Sequence, residues 1–198
     1  GTDSIYEKLA AKLYAEGASV SRVGKSKILP MNEDALVQAV RNLKSYQWIA
    51  FTSRNAIDLF FRTVRNENID MRAFGHVKFA VVGRGTKEYL EQFGFYADFM
   101  PSEYTTDSLA NGLTKVVKPG EKVLIPRAKQ GSQRLTEILK ASDIKYTDLS
   151  IYDVKAEQSK VSDIKGLDFL TFESGSGVRG FFETDADEKA EILNQFVY

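Results

Sequence analysis

Three short polar turns are the parts of this sequence best suited to hold an anion. They are Thr52-Ser53-Arg54-Asn55, Gly83-Arg84-Gly85-Thr86 and Glu173-Ser174-Gly175-Ser176, and each follows an apolar run and precedes a helix-like pattern. Backbone N–H groups at a helix N-terminus have no partner within the helix, so such turns bind carboxylates or phosphates. Taken singly, each turn is as well explained by helix capping, for which Ser, Thr and Asn are preferred. Their occurrence together favours an anion site.

A basic segment and one tyrosine complete the set of candidates. The segment 126–132, which contains Arg127, follows the apolar run 123–125 and is predicted to be a loop at the carboxyl end of a strand. Open α/β sheets bind ligands at that end, although a solvated charged loop explains the segment equally well. Tyr152 ends the extended segment 149–152. Its hydroxyl could donate a proton or a hydrogen bond, but packing is the commoner role of a tyrosine.

The composition excludes several kinds of site within these 198 residues. Because the chain has no cysteine, it has no disulfide, no thiolate nucleophile and no cysteine-bound metal. His76 is the single histidine, so neither a Ser–His triad nor a histidine metal cluster can be built, and no metal is expected. The turn 83–86 lacks the third glycine of the dinucleotide fingerprint, and no Gly-Lys-Ser/Thr phosphate loop is present. A nucleotide-using enzyme built around that turn is therefore a weaker alternative.

Charge and hydropathy also limit the partners of the chain. Lys plus Arg and Asp plus Glu each number 27, so the formal charge is zero. That balance argues against a nucleic-acid partner, because nucleic-acid affinity depends on a basic excess. The apolar runs are too short to cross a bilayer, and no signal peptide is visible at the N-terminus. We expect a cytoplasmic protein without a membrane partner.

Apolar strands alternate with amphipathic helices along the chain. The predicted strands are 18–29, 48–51, 77–82, 97–100, 122–125, 146–154 and 168–172, and the predicted helices are 5–13, 36–43, 55–64, 86–93, 106–116, 133–139, 178–182 and 185–196. Gly17 and Gly94 are expected to end helices, and Asn32 to cap one. This alternation indicates an α/β protein with a mostly parallel sheet, covered on both faces.

An internal repeat adds a second level of organisation. Residues 49–57 match residues 170–178, and the match continues from Phe60-Phe61 to Phe181-Phe182. Each copy consists of a strand, a serine-bearing turn and a helix. The repeat favours two similar α/β domains with equivalent turns, although any two βα units share some likeness.

These motifs, in this order, resemble the uroporphyrinogen-III synthase family. The segments 51–57 and 81–86 resemble its first half, and Arg127, Arg134, 150–154 and 172–178 follow in the family's order. The resemblance covers nearly the whole chain. It implies two flavodoxin-like or Rossmann-like parallel-sheet domains joined by a two-stranded connector near 29–33 and 150–155. The expected domains are a discontinuous, incomplete one of residues 1–30 and 155–198, and an inserted one of residues 31–154.

The resemblance also implies a cofactor-free lyase that acts on hydroxymethylbilane. In that reaction the substrate loses its hydroxyl to give an azafulvene, and the far ring attacks through a spiro intermediate. The macrocycle closes to uroporphyrinogen III with that ring inverted. Tyr152 would assist departure of the hydroxyl. The substrate-binding residues implied are Thr52, Ser53, Asn55, Gly85, Thr86, Arg127, Ser174, Gly175 and Ser176.

Three departures from the family pattern favour an alternative. The chain starts at the first helix instead of a strand, stops at Tyr198 before a further strand, turn and helix, and carries Glu173 where a small hydroxyl residue is usual. An incomplete chain would be inactive, and its open sheet edge would allow association, whereas the full enzyme is expected to be a monomer. The alternative is a non-catalytic tetrapyrrole-binding, or otherwise ligand-binding, α/β module of the same build.

Overall fold

The computed structural model of this protein describes residues 2–23, 26–156, 164, 166–172, 178, 181–182 and 186–193. Its strands are β1 (Ser26–Pro30), β2 (Trp48–Phe51), β3 (Lys78–Val81), β4 (Lys122–Ala128) and β5 (Lys145–Ala156). Its α-helices are α1 (Thr2–Ala15), α2 (Glu33–Arg41), α3 (Arg54–Asn66), α4 (Arg84–Glu91), α5 (Thr106–Val116), α6 (Arg134–Ala141) and α7 (Ala186–Leu193). Short 3-10 helices cover Leu43–Ser45 and Met71–Phe74. The α/β class predicted from the alternation is confirmed.

The five strands form one sheet in the order β1-β5-β4-β2-β3. Strand β2 pairs in parallel with β3 and β4, and β4 pairs in parallel with β5. Because parallel strands end at the same side of a sheet, Phe51, Val81 and Ala128 end β2, β3 and β4 along one edge. Tyr152 of β5 lies opposite Ala128. We call this side of the sheet the carboxyl edge.

Apolar side chains cover both faces of the sheet. On one face, Val123 and Ile125 of β4 pack with Leu109 of α5 and Leu135 of α6. On the other, Phe51 of β2 contacts phenylalanines of and near α3, with ring centroids 5.5 Å from Phe60, 6.4 Å from Phe61 and 6.3 Å from Phe79. Burial on both faces explains why the strands read as continuous apolar runs. The layers hold the strand ends, and hence the carboxyl edge, in place.

Three strand predictions differ from the structure. Residues 168–172 were predicted as a strand, but they are described without one, and Phe169 is 86% exposed. The predicted strand 97–100 is reduced to a single bridge between Phe99 and Ala80. Of the predicted strand 18–29, the described residues 18–23 are not in a strand, and β1 covers Ser26–Pro30. Apolar composition makes a strand possible, but pairing along a neighbouring strand is needed to form it.

The turn before α2 is also built differently from its prediction. Asn32 stands at the N-cap position, but its φ is 51° and its side chain makes no capping bond. Instead, Asn32 Nδ2 donates to the carbonyl of Ser150 at 2.8 Å, which ties the end of β1 to β5. Gly17 and Gly94 have positive φ values of 85° and 83°, as expected for residues that end helices.

The chain divides into two compact units. One comprises Gly1–Ile28 and Val154–Tyr198, and the other comprises Leu29–Asp153. The larger unit contains β2, β3, β4 and the helices α2 to α6, whereas α1 and α7 belong to the smaller one. No described helix combines the length and the apolar character that a bilayer crossing needs.

Candidate functional site

Ser53 and Tyr152 are the closest pair of candidate residues at the carboxyl edge. Ser53 follows β2 in an extended conformation and caps α3, because its Oγ accepts a hydrogen bond from the backbone N–H of Ala56 at 3.1 Å. The same Oγ lies 2.7 Å from the hydroxyl oxygen of Tyr152. A helix cap and a phenol are thus joined in one hydrogen-bonded group.

A β-bulge in β5 determines where the side chain of Tyr152 points. Arg127 of β4 pairs with Ser150, but the next β4 residue, Ala128, pairs with Tyr152, so Ile151 is the extra residue. Successive side chains of a strand point to opposite faces, and therefore a shift of one residue changes the face on which a side chain lies. Beyond the bulge, the Lys129 N–H donates to the carbonyl of Tyr152 at 2.8 Å. The bulge therefore allows Tyr152 to meet Ser53.

The environment of Tyr152 favours its protonated form. Burial raises the pKa of the Tyr152 phenol, and hydrogen bonds from the side chains of Ser53 and Asn55 lower it only in part. Because Ser53 Oγ already accepts from Ala56, the Ser53 hydroxyl hydrogen is available to donate to Tyr152. With Asn55 also donating, the phenol can direct its own proton elsewhere. This arrangement suits a neutral hydrogen-bond or proton donor.

The turn between β3 and α4 lies beside the Ser53 turn. Arg54 Nε donates to the carbonyl of Gly85 at 3.0 Å, which links the first residue of α3 to the first turn of α4. Gly85 permits this approach, since a Cβ there would lie 2.8 Å from Arg54 Nη2. Thr86, the next residue, is buried on the inner face of α4. The predicted residues Ser53 and Gly85 thus belong to adjacent turns.

Arg127 is placed differently from its prediction. It lies within β4 instead of a loop, its side chain is 3% exposed, and it makes a two-point ion pair with Asp148 at 2.6 and 2.7 Å. Its remaining donors reach the carbonyl of Gly131 at 2.9 Å and Gln133 Oε1 at 3.0 Å. The ion pair raises the pKa of Arg127. Because the guanidinium is saturated by these partners, the geometry favours a structural role over substrate binding.

The structure thus gathers part of the predicted set. Ser53, Asn55 and Tyr152 form one hydrogen-bonded group, half-buried Thr52 adjoins it along the chain, and Gly85 is linked to it through Arg54. Ser174, Gly175 and Ser176, together with Glu173, lie outside the described residues.

Two features of the site were not anticipated from the sequence. The first is the contact of the Arg54 side chain with the α4 turn, since the sequence reading treated Arg54 only as part of a polar turn. The sequence feature that could have indicated this contact is Gly85, which leaves room for the guanidinium. The second is Tyr104, which lies across the same edge, since a Cβ on Gly83 would be 2.9 Å from its ring.

His76 is remote from the group of Ser53, Asn55 and Tyr152, with its Nε2 3.4 Å from the carbonyl of Leu43. Among the described residues, no group of three acidic, histidine or cysteine side chains could hold a metal.

Comparison with known proteins identifies relatives of this chain. The model of the family described as uroporphyrinogen-III synthase HemD matches residues 7–197. A porphyrin biosynthesis protein HemD of Ruminiclostridium josui is 33% identical over 171 residues, which are 83% of this chain and 34% of that protein. A putative uroporphyrinogen-III synthase of Methanocaldococcus jannaschii is 36% identical over 157 residues, which are 77% of this chain and 64% of that protein. The chain therefore spans about a third and just under two thirds of these two relatives.

Solved structures share the fold of the chain. A mutant uroporphyrinogen III synthase of the extremely thermophilic bacterium Thermus thermophilus aligns with a TM-score of 0.62 at 15% identity, covering 94% of this chain and 77% of that one. The uroporphyrinogen-III synthetase of Helicobacter pylori aligns with a TM-score of 0.57 at 16% identity, covering 90% and 85% of the two chains. At these identities the likeness concerns the fold alone.

Proposed function

Since the chain belongs to the uroporphyrinogen-III synthase family, we propose that the protein cyclises hydroxymethylbilane to uroporphyrinogen III, as a lyase that inverts one pyrrole ring. The hydrogen bond between Tyr152 and Ser53 is the observation that best supports this activity. It joins a phenol with a raised pKa to the N-terminus of α3 at the carboxyl edge. A proton donor and a carboxylate-binding turn thus lie side by side.

Tyr152 assists departure of the substrate hydroxyl. In this step the phenol hydrogen-bonds to the hydroxyl oxygen and donates its proton, the carbon–oxygen bond breaks, and one water leaves. The pyrrole lone pair forms the azafulvene double bond, and the substituted α-carbon of the far ring bonds to the azafulvene carbon, which gives the spiro intermediate. The bond from that α-carbon to its original bridging methylene then breaks, and the other α-carbon of the same ring bonds to this methylene, which inverts the ring. The proton that this second α-carbon loses as the ring becomes aromatic returns to the phenolate. Ser53 and Asn55 stabilise the phenolate between these events. Because Tyr152 is 3% exposed, the turn of Ser53 must admit the leaving group beside the phenol.

The polar turns hold the acid arms of the substrate. The helix N-termini of α3 and α4 favour the binding of carboxylates, with Thr52, Ser53, Asn55, Gly85 and Thr86 around them. The family resemblance adds Ser174, Gly175 and Ser176 as equivalent residues of the repeated turn. Arg127 acts differently, because its ion pair with Asp148 joins β4 to β5.

Orientation of the flexible bilane supplies much of the proposed rate. Folding the chain so that its far ring reaches the azafulvene carbon turns the closure into a step with little remaining entropic cost. Such a step needs neither a strong acid nor a metal, which agrees with the residue types available. We infer that the two compact units correspond to the two domains of the family, with β1 and β5 as the connector strands.

The isomer that the protein forms is the decisive measurement. The full-length protein is supplied with hydroxymethylbilane, and the macrocycles are oxidised and separated as type I and type III isomers. We expect type III in excess of the type I product that forms without an enzyme. Formation of the type I isomer alone would reject the synthase activity. If titration then detects binding of the bilane, the function that remains is that of a non-catalytic tetrapyrrole-binding module. The absence of both turnover and binding rejects both functions.

A further inference from the structure

We propose that Arg54, whose side chain is given no role of its own by the family resemblance or by the polar turn to which it belongs, binds one carboxylate arm of the substrate at the carboxyl edge; this rests on the proposed function. Arg54 is the first residue of α3 and lies between Ser53 and Asn55, the two residues that hydrogen-bond Tyr152. Its guanidinium extends from the Ser53 turn to the first turn of α4, along the carboxyl edge. A positive charge there would attract the acidic substrate and fix one of its arms.

The charge balance of the carboxyl edge singles out Arg54. Four other cations near this edge each have an acidic partner in the structure: Arg84 with Glu88 at 2.8 Å, Lys87 with Glu91 at 3.8 Å, Arg127 with Asp148 at 2.6 Å, and Lys129 with Asp153 at 3.9 Å. Within the part of the chain that the structure describes, no carboxylate pairs with Arg54. Asp58, one turn further along α3, accepts a hydrogen bond from Tyr89 at 3.5 Å.

The guanidinium of Arg54 is anchored by one hydrogen bond, and most of its donors remain available. Its Nε donates to the carbonyl of Gly85 at 3.0 Å, and this single anchor fixes the plane of the group. Among the described residues, neither Nη group has a hydrogen-bond partner, so two parallel donors are left for a carboxylate. A planar guanidinium binds a carboxylate through two such bonds, and a fixed orientation lowers the entropy lost on binding. The geometry is that of a preformed carboxylate receptor.

Gly85 helps to position the Arg54 guanidinium. A Cβ at residue 85 would lie 2.8 Å from Arg54 Nη2 and 3.5 Å from Nε. The φ of this residue is not in the left-handed region, so its backbone does not require glycine. The missing side chain instead makes room for the guanidinium over the first turn of α4. Gly85→Ala is therefore expected to displace the Arg54 head group while leaving its charge on the protein.

The first test compares kinetic constants of two charge-removing variants. Arg54→Gln is expected to raise KM for hydroxymethylbilane about tenfold or more, the size expected for loss of a charge-assisted pair, with kcat changed far less. Arg62→Gln is the control, because it removes the same charge from an exposed position of the same helix. Raised ionic strength should increase KM for the wild type and the control, but less for Arg54→Gln. An unchanged KM, or equal shifts in both variants, overturns the inference.

Two further variants keep the inference testable if Arg54→Gln folds poorly. Arg54→Lys retains the charge but loses the fork of donors, so KM is expected to lie between those of the wild type and Arg54→Gln. Gly85→Ala should raise KM although Arg54 is present. A wild-type KM in both of these variants overturns the inference.

Bilane analogues identify the arm that Arg54 binds. In a series of analogues, each lacks one carboxylate because an alkyl group replaces that acid arm. For the wild type, one analogue should bind more weakly than the parent bilane. For Arg54→Gln, the same analogue and the parent bilane should bind equally well, because the contact is already lost. Additive losses for every analogue would refute a direct contact. A wild type that forms only the type I isomer defeats the proposed function as well, whereas an active wild type with additive losses defeats only the role of Arg54.

Discussion

The hydroxyl of Tyr152 lies 2.7 Å from Ser53 Oγ, although 99 positions separate the two residues in the sequence. The contact connects β5 to the N-terminus of α3 across the carboxyl end of β4, which lies between β5 and β2 in the sheet. It joins three features that the sequence shows separately: a serine turn, a tyrosine of an extended segment and an apolar strand between them. Burial of the phenol favours its protonated form, and the contact with Ser53 offsets only part of that rise in pKa.

Tyr152→Phe tests the phenol as the proton donor. Removing a general acid commonly slows a reaction by two to four powers of ten, so we expect a rate of type III formation lower by about a hundredfold. Thermal unfolding should show a nearly intact fold, with a loss of about 1 kcal/mol for the missing hydrogen bond. Initial rates with hydroxymethylbilane and circular-dichroism melting measure the two effects.

Tyr46→Phe is the matched control for that substitution. Tyr46 is a buried tyrosine of the same unit, and its hydroxyl donates to Thr147 Oγ1 at 3.2 Å. The control therefore removes a comparable hydrogen bond between two hydroxyl groups, at a position remote from Ser53. Its rate should equal that of the wild type, and equal losses in the two variants would return Tyr152 to a packing role.

Ser53→Ala separates capping from catalysis. The change removes the acceptor for the Ala56 N–H and the partner of Tyr152, so stability should fall by about 1–2 kcal/mol. Thr105→Ala is the control, since Thr105 caps α5 by accepting from the Ser108 N–H at the same distance of 3.1 Å. Both variants should lose similar stability in urea denaturation, but only Ser53→Ala should lower the rate. A rate loss in both would attribute the effect to capping alone.

The ionisation of Tyr152 predicts a pH dependence. Burial raises the pKa of this phenol above its ordinary value, so the folded state favours the neutral form. The resulting stabilisation is complete below the pKa of an unfolded tyrosine, about 10, and is lost as the pH rises through the higher folded pKa. The near-ultraviolet absorbance of phenolate, wild type minus Tyr152→Phe, measures the titration. A difference curve centred at or below the ordinary tyrosine value contradicts the prediction.

Asp148→Asn tests the structural role of Arg127. With the carboxylate gone, a guanidinium that is 3% exposed keeps only neutral partners, and we expect a loss of about 3 kcal/mol in the free energy of unfolding. Chemical denaturation measures the change. Asp107→Asn breaks the pair with Arg134, whose side chain is 56% exposed, and should change stability far less. Similar effects of the two substitutions would contradict a buried, stabilising pair.

Gly112→Ala is expected to destabilise a helix that the substitution would ordinarily strengthen. Alanine exceeds glycine in helix propensity by about 1 kcal/mol, but a Cβ at residue 112 of α5 would collide with the ring of Phe99. We expect a net loss of about 1–2 kcal/mol from overpacking. Asn111→Ala, at the adjacent exposed position, should raise stability slightly. A stabilised Gly112→Ala would show that Phe99 moves away freely.

Local patterns in the sequence predicted most of the individual elements. The helix expected at 106–116 is α5 with the same bounds, since its apolar residues Leu109, Ala110 and Leu113 recur on one face and Thr105 provides a cap. The strand predicted at 168–172 is wrong, because an apolar run does not reveal whether a partner strand is available. Asn32 is a preferred capping residue, but its side chain bonds to Ser150 instead. In both cases the outcome depends on residues outside the element, which its own sequence does not specify.

The amino-acid sequence by itself determined the α/β class, the polar turns at the strand ends and the residue types available for chemistry, because these depend on neighbours within a few positions. Tertiary structure alone decided which of these residues meet. The bulge at Ile151 turned Tyr152 toward Ser53, the ion pair with Asp148 engaged the guanidinium of Arg127, and the open space at Gly85 positioned Arg54. Each depends on strand register and on contacts between residues tens of positions apart, which side-chain periodicity does not encode.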